Sequence, residues 1–328
     1  MIVVTGGAGF IGSNITAALC ARGANEVVVC DHLEGDDKRR NLAKNEVAEI
    51  VPPERLFAYL EDRAGAAEAV VHMGATTSTT ERDLDRLVVN NFGFSLELWH
   101  WCSAHEVRLV YASSAATYGD GSQGFRDDDS VAGLAALKPL NRYGWSKHLF
   151  DRRVADLVAA GGPRPPQWVG LKFFNVFGPN EYHKGEMKSV VAQIYPDAAA
   201  GRAVRLFKSH HPDYLDGGQL RDFISVADCV DVVQWLLANP AVNGIFNLGT
   251  GRARSFADLA SAVFAALDRP PRITYVDMPE ALRNHYQYFT EAEMSRLRSA
   301  GYERPFTSLE QGVGSYVREH LMRDERYR

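Results

Sequence analysis

The chain has 328 residues, of which 46% are hydrophobic and 23% charged, an ordinary globular balance with enough length for two lobes. A net charge of −5 without a dominant basic cluster argues against nonspecific nucleic-acid binding. Cys20, Cys30, Cys102 and Cys229 are scattered, with no CxxC pair and no histidine at ligand spacing, so neither a metal site nor a disulfide framework is expected. The opening MIVVTGGAGF lacks a basic segment and its glycines break the apolar run, so it is not expected to be a signal peptide. No stretch approaches ~18 uninterrupted apolar residues, so no membrane partner is expected and a cytoplasmic location follows by default.

In chain order, IVV at 2–4, EVVVC at 26–30, AVVHMG at 69–74 and VRLVYASS at 107–114 read as strands. Helical patterns lie between them, from Ser13 to Arg22 and from Asp85 to Glu106. This alternation predicts an α/β fold, a doubly wound parallel sheet of the Rossmann type with right-handed crossovers. WVGLKFF at 168–174 and GIFNLG at 244–249 add strands, and helices are expected over Phe256–Leu267 and Glu291–Ala300. The expected division is a cofactor domain over 1–174, rejoined by segments around 222–250, and a smaller, discontinuous substrate lobe from 175–221 and 251–328.

The first strand runs into TGGAGFIG. Gly6 permits the turn, Gly9 lets backbone approach a pyrophosphate, and Gly12 lets the following helix pack closely. The helix N-terminus then offers free N–H groups to phosphate. With Asp31 closing the next strand, this context reads as dinucleotide binding. Asp31 suits the ribose of NAD, whereas Lys38, Arg39 and Arg40 could clamp the 2′-phosphate of NADP, and the residues alone leave that choice open.

NRYGWSKHLF places Tyr143 and Lys147 on one helical face. A phenol with an ordinary pKa near ~10 needs a neighbouring cation to serve as a base at neutral pH. Ser114, at the end of a strand in YASSAATYG, can hydrogen-bond the hydroxyl or carbonyl being interconverted. The glycine loop, Ser114 and Tyr143-x-x-x-Lys147, in that order, resemble the extended short-chain dehydrogenase/reductase superfamily. FFNVFGP, Arg221-Asp222-Phe223 and FNLGTG extend the resemblance, which implies nucleotide-sugar contacts at Asn175 and a diphosphate grip by Arg221.

TGGAGFIGSNI, HMGATTSTTE, KPLNRYGWSK, FFNVFGPNEYHKG, FNLGTGRARSF, HYQYFT and AGYERPF together resemble the ADP-L-glycero-D-manno-heptose 6-epimerase family over essentially the whole chain. The resemblance implies tightly bound NADP, an ADP-heptose substrate destined for the lipopolysaccharide inner core, and a homo-oligomer. It implies cofactor contacts from Phe10 and Ile11 in the glycine loop, and from His32 and Lys38 beyond Asp31. Further cofactor contacts are implied along Met73, Gly74, Ala75, Thr76 and Thr77, at Asn90 and Val176, and at Tyr143, Lys147 and Lys184. Substrate contacts are implied at Ser114, Glu186 and Gln193, along Phe207, Lys208, Ser209 and His210, and at Tyr286. The chain departs from the family pattern at Pro53, Met73, Glu186 and Gln193, and its 208–220 segment is longer than the compact form.

The family reaction inverts C6″ through a transient ketone, so the C6″ oxygen occupies two positions and two acid/bases are wanted. Tyr143 is the first, and Lys184, the lysine of HKG, stands at the position of the second; the opposing reading is a solvated surface lysine. A dehydratase usually carries Asp-Glu after the catalytic hydroxyl, where this chain has Ala115-Ala116. A UDP-hexose 4-epimerase and a non-catalytic NADP sensor are the alternatives.

Overall fold

The computed structural model describes residues 1–23, 26–78, 81, 83–283 and 286–328; Thr79, Thr80 and His285 of the motifs above lie outside the described residues. The strands in chain order are β1 Ile2–Thr5, β2 Val27–Cys30, β3 Glu49–Val51, β4 Ala69–His72, β5 Arg108–Ser114 and β6 Trp168–Phe173. They continue as β7 Asn175–Phe177, β8 Val204–Phe207, β9 Leu220–Ser225, β10 Gly244–Leu248, β11 Ala253–Ser255 and β12 Ile273–Val276. A seven-stranded parallel sheet runs β10-β6-β5-β4-β1-β2-β3. Strands β2, β4 and β6 are buried along their whole length, because helices cover both faces. The strand order reverses at β1, which opens a crevice between β1 and β4 at their carboxyl ends, where doubly wound sheets bind ligands.

A second apolar cluster joins Phe177, Val191, Leu206, Phe223, Val263, Leu309 and Val313. Around it β7 and β9 pair in parallel, β11 joins β9 antiparallel, and β8 pairs with β12. Ala292, Met294, Leu297 and Tyr302 pack into the first cluster, against the central sheet.

Three segments differ from the sequence pattern. The helix expected over Glu291–Ala300 is confined to Ser295–Ser299, since the Ala292 N–H is spent on Asp222 at 3.0 Å and the Glu291 carboxylate on the Ala253 N–H at 2.8 Å. The WVGLKFF strand stops at Phe173, and the chain passes at Asn175 into the β7–β9 pairing. The long helix expected from Asp85 is broken by a π turn, Val88–Gly93, between helices Leu84–Leu87 and Phe94–Ala104. There the buried Asn91 exchanges hydrogen bonds with the Thr76 backbone at 2.8 and 2.9 Å, so the widened turn anchors the loop after β4.

Candidate active site

The loop after β1 turns at Gly6, in the left-handed region at φ +64°, and a Cβ there would stand 2.6 Å from the Gly74 nitrogen. Gly6 and Gly74 thus abut at the switch point of the sheet. A Cβ at Gly12 would collide with the Gly6 carbonyl at 2.0 Å. Helix Phe10–Ala21 starts from Gly9 with no side-chain cap, and its first intrahelical bond runs from the Ser13 N–H to the Gly9 carbonyl at 2.9 Å. The N–H groups of Phe10, Ile11 and Gly12 are therefore open to an anion. This cradle fits a dinucleotide pyrophosphate.

Asp31 accepts the Ala8 N–H at 3.0 Å and the Lys38 ammonium at 2.7 Å, and Lys38 also donates to the His32 carbonyl at 3.2 Å. The basic run is divided: Arg39 donates to the Leu33 carbonyl at 3.3 Å, while Arg40 lies 4.2 Å over the Tyr327 ring. The His32 ring lies 3.6 Å from Glu54, both exposed. Across the crevice Met73, Gly74, Ala75 and Thr76 are half-buried and Thr77 is exposed. Thr5 Oγ1 accepts the Gly74 N–H at 3.2 Å, and Asn90 donates to Thr76 Oγ1 at 3.1 Å.

Ser114 ends β5, where its Oγ accepts the Ala116 N–H at 3.1 Å. Helix Arg142–Ala159 begins under an Asn141 cap that accepts the Gly144 N–H at 2.8 Å. Gly144 presses on the turn after Ser114, since a Cβ would lie 2.8 Å from the Ala116 carbonyl. Burial pushes the Tyr143 phenol above its ordinary value, and the Ser114 side chain opposes that. Lys147 is 3% exposed, and burial lowers its ammonium to about 8, against the pull of Asp151. Beside it His72 is held neutral, lowered to about 3 by burial, between Thr5 Oγ1 at 2.6 Å and Ser95 Oγ at 2.9 Å.

Lys184 lies in the 3-10 segment Tyr182–Met187, just before a kink at Gly185, where φ is +55°. Its N–H donates to the Glu181 carbonyl at 3.1 Å, and its half-buried ammonium stands 5.2 Å from the Phe10 ring centroid. Burial lowers this ammonium while the Glu181 carboxylate opposes. The turn is braced from distant parts of the chain. The Asn180 carbonyl accepts from Asn41 at 3.1 Å, the Asn180 amide donates to Ser13 Oγ at 3.0 Å, and the Tyr182 hydroxyl donates to the Arg326 carbonyl at 3.0 Å. Tyr182 and Tyr327 rings meet edge-on at 5.0 Å. Glu186 and Gln193 are exposed, and the Gln193 amide caps the turn through the carbonyls of Glu186 at 3.1 Å and Lys188 at 2.7 Å.

Arg221 on β9 is only 8% exposed, and its hydrogen bond is to the adjacent Leu220 carbonyl at 2.8 Å. Its guanidinium lies 5.8 Å from the Phe256 ring and 5.2 Å from the Tyr286 ring, and among the described residues no carboxylate pairs with it. The neighbouring Asp222 points elsewhere, accepting from the Thr250, Gly251 and Ala292 N–H groups. A buried guanidinium with open donors suits a bidentate anion. Tyr286 continues into a ring cluster with Tyr288 at 5.3 Å, and Tyr288 meets Tyr214 at 5.2 Å and His211 at 5.1 Å. The 208–220 loop is thereby fastened to the 286–290 segment, with the His210 N–H on the Tyr288 hydroxyl at 3.1 Å, and is closed within itself by the Ser209 N–H on Asp216 at 2.8 Å. Phe207 is half-buried, and Lys208 lies 3.3 Å from Asp277. Asn175 is exposed at the start of β7 and Val176 half-buried beside it.

The family model described as the NAD dependent epimerase/dehydratase family matches residues 2–249. Over 323 residues, 98% of each chain, the sequence is 51% identical to an ADP-L-glycero-D-manno-heptose-6-epimerase of Nitratidesulfovibrio vulgaris. It is 44% identical over the full length of both chains to the enzyme of that name from Fusobacterium nucleatum. The chain belongs to the NAD dependent epimerase/dehydratase family. Among solved structures, the Helicobacter pylori ADP-L-glycero-D-manno-heptose-6-epimerase superposes with a TM-score of 0.77 at 26% identity, covering 97% of this chain and 95% of that one. The Thermus thermophilus UDP-glucose 4-epimerase in complex with NAD does so with a TM-score of 0.73 at 26% identity, covering 96% and 97%.

In this epimerase/dehydratase chain the sequence-selected residues fall into three groups. The glycine loop, with Lys184 5.2 Å from the Phe10 ring centroid, Asp31 and the 73–77 segment line the switch point; the helix bearing Tyr143 and Lys147 packs on the turn after Ser114 at the end of β5; Arg221 and Tyr286 meet beside β9. Sequence reasoning missed the residues that hold these groups. Asn91 had a signal, an Asn pair inside a helical pattern, which is unfavourable unless its side chain is used elsewhere. Asn41, Asn180 and Tyr327 had none, since their partners are remote in sequence. Among the described residues no His, Cys, Asp and Glu group could hold a metal ion, and no helix is long and apolar enough to cross a membrane.

Proposed function

We propose that the chain interconverts ADP-D-glycero-D-manno-heptose and ADP-L-glycero-D-manno-heptose at C6″, using tightly bound NADP, in the supply of heptose to the lipopolysaccharide core. The observation that carries this reading is the packing of the helix bearing Tyr143 and Lys147, through Gly144, on the turn after Ser114 at the carboxyl end of β5, in the sheet whose switch point holds the open glycine-loop helix. The relatives of that name at 51% and 44% identity support the substrate class.

The pyrophosphate belongs on the N–H groups of Phe10, Ile11 and Gly12, and the adenosine ribose beside Asp31 and His32. Lys38 supports NADP over NAD, because its ammonium on Asp31 offsets the carboxylate that would repel a 2′-phosphate. The 73–77 segment, Asn90 and Val176 line the rest. When bound, the nicotinamide accepts hydrogen with its electron pair from C6″ and returns it, and its positive ring favours the phenolate. Tyr143 takes the C6″ hydroxyl proton, Ser114 donates to the same oxygen, and the Lys147 ammonium stabilises the phenolate. After the 6″-ketone has turned its other face, Lys184 gives the proton to the oxygen in its second position. Arg221 grips the diphosphate, Tyr286 stacks beside it, and Asn175, Glu186, Gln193 and Phe207 to His210 border the sugar nucleotide. Residues 175–221 and 251–328 serve as the substrate lobe.

We further infer a cytoplasmic homo-oligomer. Leu84, Val88 and Val89 are exposed on one helical segment and Trp145 and Leu149 on the helix packed against it, an apolar surface suited to a second copy.

Thermal stabilisation by ADP-, GDP- and UDP-sugars tests the substrate class. ADP-heptose at 100 times its dissociation constant adds ~2.7 kcal/mol, and equal stabilisation by a UDP-hexose would overturn the ADP assignment.

A further inference from the structure

The helix that carries Tyr143 and Lys147 carries a third polar side chain on the same face, Asp151, one further turn along. Asp151 is fully buried, and its carboxylate is shared by two strands. From β5 it accepts the Ser113 hydroxyl at 2.6 Å and the Tyr111 hydroxyl at 3.3 Å; from β6 it accepts the Lys172 ammonium at 2.8 Å. Lys172 is fully buried too, donates to Thr117 Oγ1 at 2.7 Å, and stands 5.1 Å from the Tyr118 ring centroid. The Thr117 hydroxyl donates in turn to the Ser114 carbonyl at 2.8 Å. Ser114 is thereby held from both sides: its neighbour Ser113 is tied to the helix, and its own carbonyl is tied through Thr117 to Lys172.

Stability alone does not explain this pair. Taking two charges out of water costs about as much as their attraction returns, and apolar replacements of such pairs are often neutral or stabilising. Lys172 also interrupts WVGLKF, a strand otherwise built of apolar residues and glycine.

We propose that the Asp151–Lys172 pair is a positioning and charge-setting device for the reaction: it fixes the strand end bearing Ser114 against the helix bearing Tyr143 and Lys147, and its carboxylate holds Lys147 as an ammonium. The proposal rests on the roles given above to Tyr143 and Lys147. Asp151 acts on Lys147 from one turn along the same helix and His72 from β4, while Tyr111 on β5 and Lys172 on β6 reach Asp151 itself. His72 is neutral, as is His148 beside Asp151, lowered to about 4, while Arg152 acts on that histidine from the same helix. Asp127 and Asp129 act on the more distant hydroxyls of Tyr118 and Tyr111. Asp151 is thus the carboxylate that sets the charge of Lys147, and Lys172 is its competitor.

The test is the pH profile of kcat and KM in the nucleotide-bound enzyme. Asp151→Asn keeps the shape and removes the charge, so the alkaline limb of kcat moves to lower pH, with a roughly tenfold loss for each unit moved. Lys172→Met leaves Asp151 facing Lys147 alone and moves the limb to higher pH. The double variant Asp151→Leu/Lys172→Met removes both buried charges but leaves the Ser113 and Tyr111 hydroxyls without this acceptor; it folds with a lowered melting temperature and loses kcat about tenfold at unchanged KM. Limbs that stay put or move the same way in both single variants overturn the proposal, as does a double variant that keeps wild-type kcat or fails to fold. Tyr143→Phe run in parallel separates the two readings, because an active Tyr143→Phe refutes the catalytic roles themselves, whatever the pair does.

Discussion

Lys147 and Lys184 are held beside the proposed chemistry by regions built in different ways. Lys147 sits on an 18-residue helix laid against parallel strands, so its neighbours Tyr143 and Asp151 follow from helical spacing and Ser114 from the end of a strand. Lys184 sits on a short 3-10 segment kinked at Gly185, and Asn41, Ser13, Arg326 and Tyr327 brace that segment from far along the chain. Burial lowers both ammonium groups, and it lowers Lys147 to about 8. Regular structure supplies one of the proposed acid/base centres, and long-range contacts supply the other, whose position is set by several segments.

The largest effect that sharpens this contrast is expected at Tyr143. Tyr143→Phe keeps the ring and the fold, and turnover drops by ~10²- to 10⁴-fold, the range of a general base. Near wild-type turnover would make YxxxK an ordinary helix pair. Next comes Lys184→Met, with stability within about ±0.5 kcal/mol of wild type and epimerisation reduced ~10²-fold. Because Tyr143 remains, one C6″ epimer still reduces bound NADP slowly and the other much less, as followed by absorbance of the reduced cofactor. Equal loss toward both epimers would break the division between the two regions.

Arg221→Met removes a buried cation without a carboxylate partner. Nucleotide-sugar affinity falls about 10- to 100-fold by titration, from lost charged hydrogen bonds worth about 1.5–3 kcal/mol, while the ligand-free protein melts no lower. A lower melting point at unchanged affinity would mean that the guanidinium is structural.

The pH response separates the regions again. Turnover is sustained up to about pH 8 and falls above it as Lys147 loses its proton. The folded value lies below the ordinary ~10.4, so between the two the unfolded chain binds more protons and this group's contribution to stability rises with pH. Activity lost while the melting point holds identifies Lys147; parallel loss of both would contradict it. The smallest effect is at Lys38, where Lys38→Ala lowers NADP affinity about tenfold, one lost charge contact, and leaves NAD affinity nearly unchanged by titration.

The same contrast marks what was legible in the sequence. β1, β2, β4, β5, β6 and β10 were readable because buried parallel strands are continuous apolar runs. Short strands such as Glu49–Val51 and Ala253–Ser255 were not, because three pairings with a neighbour decide each of them. Tyr143-x-x-x-Lys147 is visible as spacing, whereas Lys172, inside an apolar strand, discloses its partner Asp151 only in three dimensions. The helix expected over Glu291–Ala300 failed for the same reason, since Asp222 and Ala253 take its first turn.

The central claim, inversion at C6″ by oxidation and return of the same hydrogen, is tested most directly by incubating the protein with ADP-D-glycero-D-manno-heptose in D₂O. Magnetic resonance of the sugar then reads both the configuration and the isotope at C6″. The account predicts the L-glycero epimer with protium retained at C6″, since that hydrogen never meets solvent. No inversion, or inversion with deuterium at C6″, would contradict it.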